Sequence, residues 1–194
     1  STGILECPPH GRTYTKLCQK LGIPDAEPPD IGDMSNFVAN IDERILERFH
    51  SDFRRIDPNP QRTLYHEDGS KTLLGLRCGL RIKKIGYYDD VFEFPLQNAS
   101  TPKDLQTYPY WPTQEDYRLL AQSKKEEARR LHEETDYAII VDSLLSFPFL
   151  MYSLLTGYEK WFIDMKTNSS FYFALCERLT RIACEFITSF IGEV

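Results

Sequence analysis

The side chains able to do chemistry are few and scattered. Cys7 and His10 stand close enough in sequence to begin a metal site. A zinc site needs two more ligands at suitable spacing, so the plain reading is a loop thiol beside a surface histidine. Arg54 and Arg55 fall together in FRRID, a run that reads as a short strand over 53–57. Solvated charge is the ordinary fate of such a pair. The alternative is that one of them turns into a pocket and grips a carboxylate or phosphate with its planar fork. Asp142 follows the continuous apolar run at 137–141. That run suits a strand buried on both faces of a parallel sheet, and active sites of sheets and barrels of that kind gather at the carboxyl ends of the strands. Neither GxGxxG nor GxxxxGK[ST] occurs, which argues against a dinucleotide or P-loop function.

Composition narrows the class. The chain has 194 residues, 41% of them hydrophobic and 13% aromatic, enough for one domain with a real core. The 23 basic and 29 acidic residues leave a net charge of -6, which argues against a nucleic-acid-binding module. No apolar run reaches the length of a membrane span. The opening STGILECPPHGR has neither a basic n-region nor an apolar h-region, so no signal peptide is expected. Because it also lacks an initiator Met, something upstream is expected to be absent. Five cysteines without a CxxC read as reduced thiols in a cytoplasmic protein. Cys176 and Cys184 are expected to pack as small apolar residues.

The elements that would position these groups follow from spacing. Residues 12–21 and 41–53 read as helices, the second capped by Asn40 or Asp42. Residues 60–70 read as a polar loop. From Thr72 to Phe94 the period shortens and glycines intervene, predicting two or three antiparallel strands with a turn at Gly86 or at Asp89-Asp90. Prolines 102, 109 and 112 mark a surface crossing, in which Thr101 to Asp104 can open one helical turn. Thr113 with Asp116 resembles a capping box. Tyr117, Leu120, Ala121, Ala128 and Leu131 then fall on one face of a long helix, and Glu126 is set to pair with Arg130. Helices are expected over 147–155, 158–165 and 168–190.

The stretch 95–134 also carries a resemblance. Pro95-Leu96, then Thr101-Pro102-Lys103-Asp104-Leu105, then Tyr108-Pro109-Tyr110-Trp111-Pro112 before a charged helix resembles a landmark of the uroporphyrinogen decarboxylase superfamily, in particular its cobamide-dependent methyltransferase-like branch. A second landmark is similar to that family's strand followed by G-x-P-[WF]-T-L: here 137–141, then Ser146-Phe147-Pro148-Phe149-Leu150. Gly157-Tyr158-Glu159 stands for the family's "E-G" helix end, and residues 166–170 stand for the join of its next helix pair. Asp52 to Pro58 resembles its D-F-R-x-[IV]-x-P strand, and GYYDDVFEFPL its β-ribbon.

The resemblance implies a TIM (β/α)8 barrel, which needs about 250 residues. The expectation is an α/β chain, a single domain over 1–194 forming the N-terminal portion of such a barrel. Strand two would lie at 53–57 and strand three at 137–141, with a right-handed helical crossover between them and an inserted antiparallel ribbon at about 72–94. The methyltransferase members use zinc to activate an acceptor and a corrinoid protein or small molecule as methyl donor. Their metal ligands lie in the half of the fold this chain lacks. The porphyrinogen decarboxylases carry an Arg-Gln-Ala-Gly-Arg motif that is absent here, so decarboxylation is the second reading and a non-catalytic interaction module the third. The candidate substrate-binding residues are Arg55, Asp57, Asp142 and Tyr152. A half barrel would also leave Ile139, Val141, Leu179, Ile182, Phe186 and Phe190 uncovered, predicting self-association.

Overall fold

A computed structural model describes residues 11–25, 41–56, 62–86, 88–141 and 148–193. It is a mixed α/β arrangement with one parallel and one antiparallel sheet. Helix α1 (Gly11–Leu21) buries Tyr14 and Cys18 against Ile45 of α2 (Glu43–Arg48), forming a small cluster of its own. The Asp42 carboxylate caps α2, accepting from the Arg44 amide at 3.0 Å. Tyr14 accepts from the Asp42 amide at 2.8 Å, and burial pushes its hydroxyl up to about 12.

The expected helix over 41–53 stops at Arg48. His50 takes a left-handed φ of 53°, its amide donates to Glu47 O at 3.0 Å, and the Ser51 amide donates to Leu46 O at 2.9 Å. That is the two-bond Schellman ending, here built on histidine where glycine is usual. It frees the chain for β1.

Strand β1 (Phe53–Ile56) pairs in parallel with β6 (Ala138–Val141), Phe53 opposite Ala138 and Ile56 opposite Val141. This is the parallel pairing the sequence predicts. Among the described residues β6 pairs with β1 alone, and its burial differs from expectation: Ile140 is 41% and Val141 37% exposed. A strand with one neighbour has one free edge and cannot be covered as an inner barrel strand is.

Between these strands the chain makes a four-stranded antiparallel sheet in the order β2-β3-β4-β5: Thr63–Tyr65, Lys71–Leu73, Leu80–Ile85 and Tyr88–Glu93. The ribbon is therefore longer than the expected 72–94. Strand β2 falls in the stretch read as a loop, and its Leu64 and Tyr65 face solvent, so no alternation betrays it. The β4–β5 turn is at Gly86, with Ile85 opposite Tyr88. Before β4, Gly79 has φ 77°, and a Cβ there would come within 2.7 Å of the Tyr110 ring. Only glycine lets the 108–111 crossing lie on this turn, where Tyr108 donates to Cys78 O at 2.6 Å.

Helix α3 (Pro102–Thr107) and α4 (Gln114–Glu134) each open with a capping box, Thr101 with Asp104 and Thr113 with Asp116. The buried face of α4 is Tyr117, Leu120, Ala121, Ala128 and Leu131, as the spacing predicts. Glu126 pairs with Arg129 at 2.9 Å, three residues on, where Arg130 was expected. Helix α4 packs on β1, on β6 and on α7.

Helices α5 (Pro148–Thr156), α6 (Tyr158–Thr167) and α7 (Ser169–Glu193) close the fold. One apolar core runs from Ile56 through Leu80 and Ile82 of the ribbon to Phe186 and Phe190 of α7. Leu179, Ile182, Phe186 and Phe190, expected to be uncovered, are at most 4% exposed, because α3, α4, α5 and α6 all pack on α7. Cys176 is partly buried, whereas Cys184 is exposed rather than packed. No described helix is long and apolar enough to cross a membrane.

Candidate functional site

The parallel pair fixes where a site can be. Ile56 stands opposite Val141, so the chain leaves β1 and β6 at the same end. Asp57 and Asp142 come next in the sequence but lie outside the described residues, as do Cys7 and His10. Among the described candidates, Arg55 is on β1 opposite Ile140, partly buried.

Arg54 answers the question left by the arginine pair. Its side chain is 5% exposed and grips the Glu43 carboxylate, with Nε 2.9 Å from both oxygens and a second guanidinium nitrogen on Oε1. The remaining nitrogen donates to Ser51 O at 2.8 Å and Phe53 O at 2.9 Å. The guanidinium lies 3.5 Å over the Tyr137 ring. Arg54 thus spends its fork on the protein, locking α2 and the lead-in to β6 onto β1. Alternation puts Arg55 on the opposite face.

Tyr152 is fully buried in α5. Its hydroxyl donates to Asp164 Oδ2 at 2.9 Å, and Lys160 Nζ holds both Asp164 oxygens at 2.9 and 2.8 Å. Lys160 also sits 4.6 Å from the Phe171 ring centroid. Burial, then the hydrogen bond and charge of Asp164, raise the Tyr152 pKa, so it remains a fixed donor. In this arrangement its hydroxyl is engaged within the helical layer rather than presented to a ligand. Asp164 and Lys160 were not singled out from sequence. Their signal was there: an acid at i+4 from a lysine on a helix whose other inward residue is Trp161.

A third polar cluster lies on the ribbon. His66 Nε2 is 2.8 Å from both Thr72 Oγ1 and an Arg81 guanidinium nitrogen, and Arg81 reaches Ser70 Oγ at 3.3 Å. The cluster ties the turn after β2 to β3 and β4.

Among the described residues no three His, Cys, Asp or Glu come together as metal ligands. The zinc implied by the resemblance therefore finds no holder in them, and no step is routed through it here.

No family model, curated protein or solved structure matches the chain. The reading of function accordingly rests on the residues and their arrangement.

Proposed function

We propose that the chain forms amino-terminal units of a uroporphyrinogen-decarboxylase-like (β/α)8 barrel enzyme working in corrinoid-linked, zinc-dependent methyl transfer. The observation that carries the reading is the β1–β6 pair. Two short parallel strands are joined by α4, with an antiparallel ribbon inserted between them. That order is what the sequence landmarks call for. The exposed Ile140 and Val141, and the edge of β6 that is unpaired among the described residues, are what an inner barrel strand offers to a next strand.

In this reading Arg55, Asp57 and Asp142 line the mouth at the carboxyl ends of the strands, and Tyr152 braces the wall behind it through Asp164. A cation and carboxylates at a barrel mouth can orient a polar acceptor or a small methyl donor. Zinc would lower the pKa of a thiol acceptor, but its ligands would have to come from outside these residues. Porphyrinogen decarboxylation is disfavoured by the missing arginine motif, and no observation favours a pure interaction module over the enzyme.

The test is made on the full-length protein. Methylcobalamin and a thiol acceptor are followed by the corrinoid spectrum, with and without zinc. Zinc-dependent demethylation, lost in Asp142→Asn, is the expected result. Decarboxylation of uroporphyrinogen instead, or neither activity with zinc bound, would overturn it.

A further inference from the structure

We propose that the groove between α3 and α7 binds a small oxyanion carried on a flat apolar body. This groove is separate from the strand ends and stands independently of the reading given for them. Its volume is about 410 Å³, within the ordinary range of small-molecule sites, roughly 300–1,000 Å³.

One side is apolar and rigid. Trp111 donates its Nε1 hydrogen to Leu105 O at 2.7 Å, and the Tyr108 ring meets it edge-on at 5.0 Å, so the indole is fixed. Leu105 and Ala174 extend that wall. The other side is charged. The Arg178 guanidinium lies 5.3 Å from the Trp111 ring centroid. Arg178 lines the groove and makes no ion pair among the described residues; its Nε is closed off from solvent, which leaves the terminal nitrogens to meet a ligand. The acid lining the groove, Glu177, is already held by Arg181 at 3.0 Å.

The groups behind Arg178 supply little neutralisation. Cys78 is pushed up to about 12 by burial, and Tyr117 is raised by burial and by the nearby Glu185. Both are neutral at physiological pH. Glu185 acts on Tyr117. A partly buried guanidinium over an indole, facing a cavity and lacking a counter-ion among the described residues, is the arrangement that takes up a carboxylate or phosphate oxyanion from solution. The adjoining indole and aliphatic wall favour one attached to a ring over a bare ion.

The experiment titrates the intact chain with benzoate, phenyl phosphate and neutral benzamide, following tryptophan emission. The expected result is saturable quenching by benzoate or phenyl phosphate and none by benzamide. Whichever anion binds more tightly says whether the group is carboxylate or phosphate. The signal should vanish in Trp111→Phe, which leaves Trp161 alone. Arg178→Gln should weaken binding by about tenfold or more, whereas Arg181→Gln, which removes an equal charge from the exposed pair, should change it by less than about threefold. The proposal is overturned by equal binding of benzamide, by no response to either anion, by a signal that survives Trp111→Phe, or by equal losses in the two arginine variants. If Arg178→Gln does not fold, the comparison of benzoate with benzamide on the unaltered chain still decides.

Discussion

Tyr152, Asp164 and Lys160 make a short polar chain inside an otherwise apolar helical layer, and its members are not equivalent. Removing the tyrosine hydroxyl leaves Asp164 still held by Lys160, so Tyr152→Phe should cost about 1.5–3 kcal/mol of stability, the worth of one hydrogen bond to a charged group. Removing the carboxylate leaves the Lys160 ammonium, its side chain only 17% exposed, without its partner. Asp164→Ala should therefore cost more, about 3 kcal/mol. Urea unfolding of the two variants checks the order, and equal losses would contradict it. The same chemistry sets an alkaline limit. Tyr152, Tyr108 and Tyr117 are all raised in the folded chain by burial, and the Cys78 thiol is pushed from 9.0 up to about 12. A raised folded pKa contributes stability that is complete below the unfolded value and is lost as pH climbs toward the folded one. Stability should therefore begin to fall near pH 9, where unfolded Cys78 starts to ionise, and fall faster above about pH 10. Midpoints of urea unfolding from pH 7 to pH 11 measure this, and Cys78→Ala should reduce the earlier part of the decline, to which the Cys176 thiol, also raised by burial, contributes the rest.

At the scale of elements, the sequence was legible where one residue type does one job. The capping box of α4 was readable from a threonine and an aspartate three apart, and the buried face of α4 from its spacing; at α3 only a helical turn was expected, not its box. The parallel pairing of β1 with β6 was expected from the resemblance; locally only the apolar run at 137–141 behind a helix supported it, since β1 carries two arginines. It was illegible where an unusual residue or a solvent-facing strand did the work. The end of α2 was missed because its left-handed position is His50, and β2 because its large side chains point outward. The first of these can be tested, and so can the close approach at Gly79. His50→Gly should stabilise the chain by about 0.5–1 kcal/mol, since a left-handed backbone costs glycine little and the two closing bonds are kept. Gly79→Ala should do the opposite. The new methyl would meet the Tyr110 ring at 2.7 Å on a backbone of φ 77°, and a loss of about 2 kcal/mol or more is expected. Thermal unfolding compares the two, and a stable Gly79→Ala would mean that the 108–111 crossing can lift away from the turn at little cost.

For the molecule as a whole, the candidate site was legible only as far as its frame. Arg55 could be marked as a candidate but not told from Arg54, because the choice depends on which face of β1 meets Glu43, a residue on a different element. Tyr152 was chosen for its place in a motif, and nothing local announced that Asp164 would take its hydroxyl. The apolar face of α7 was likewise correctly seen but wrongly expected to lack cover, since its cover comes from four other helices. What remains unsatisfied among the described residues is therefore smaller than six residues: the outer part of β6, with Ile140 and Val141 more than a third exposed and one strand edge unpaired. Full burial of two such side chains is worth about 1.5–3 kcal/mol each, and edge pairing adds backbone hydrogen bonds. Self-association of the chain through this edge should follow, and sedimentation equilibrium at roughly tens of micromolar protein measures it. Val141→Lys should weaken the association by placing a charge where the strand would be covered, without disturbing the register with Ile56. A wild-type chain that stays monomeric under these conditions would show that the pair of strands is stable with its edge in water, and would remove the argument that β6 is built to receive a further strand.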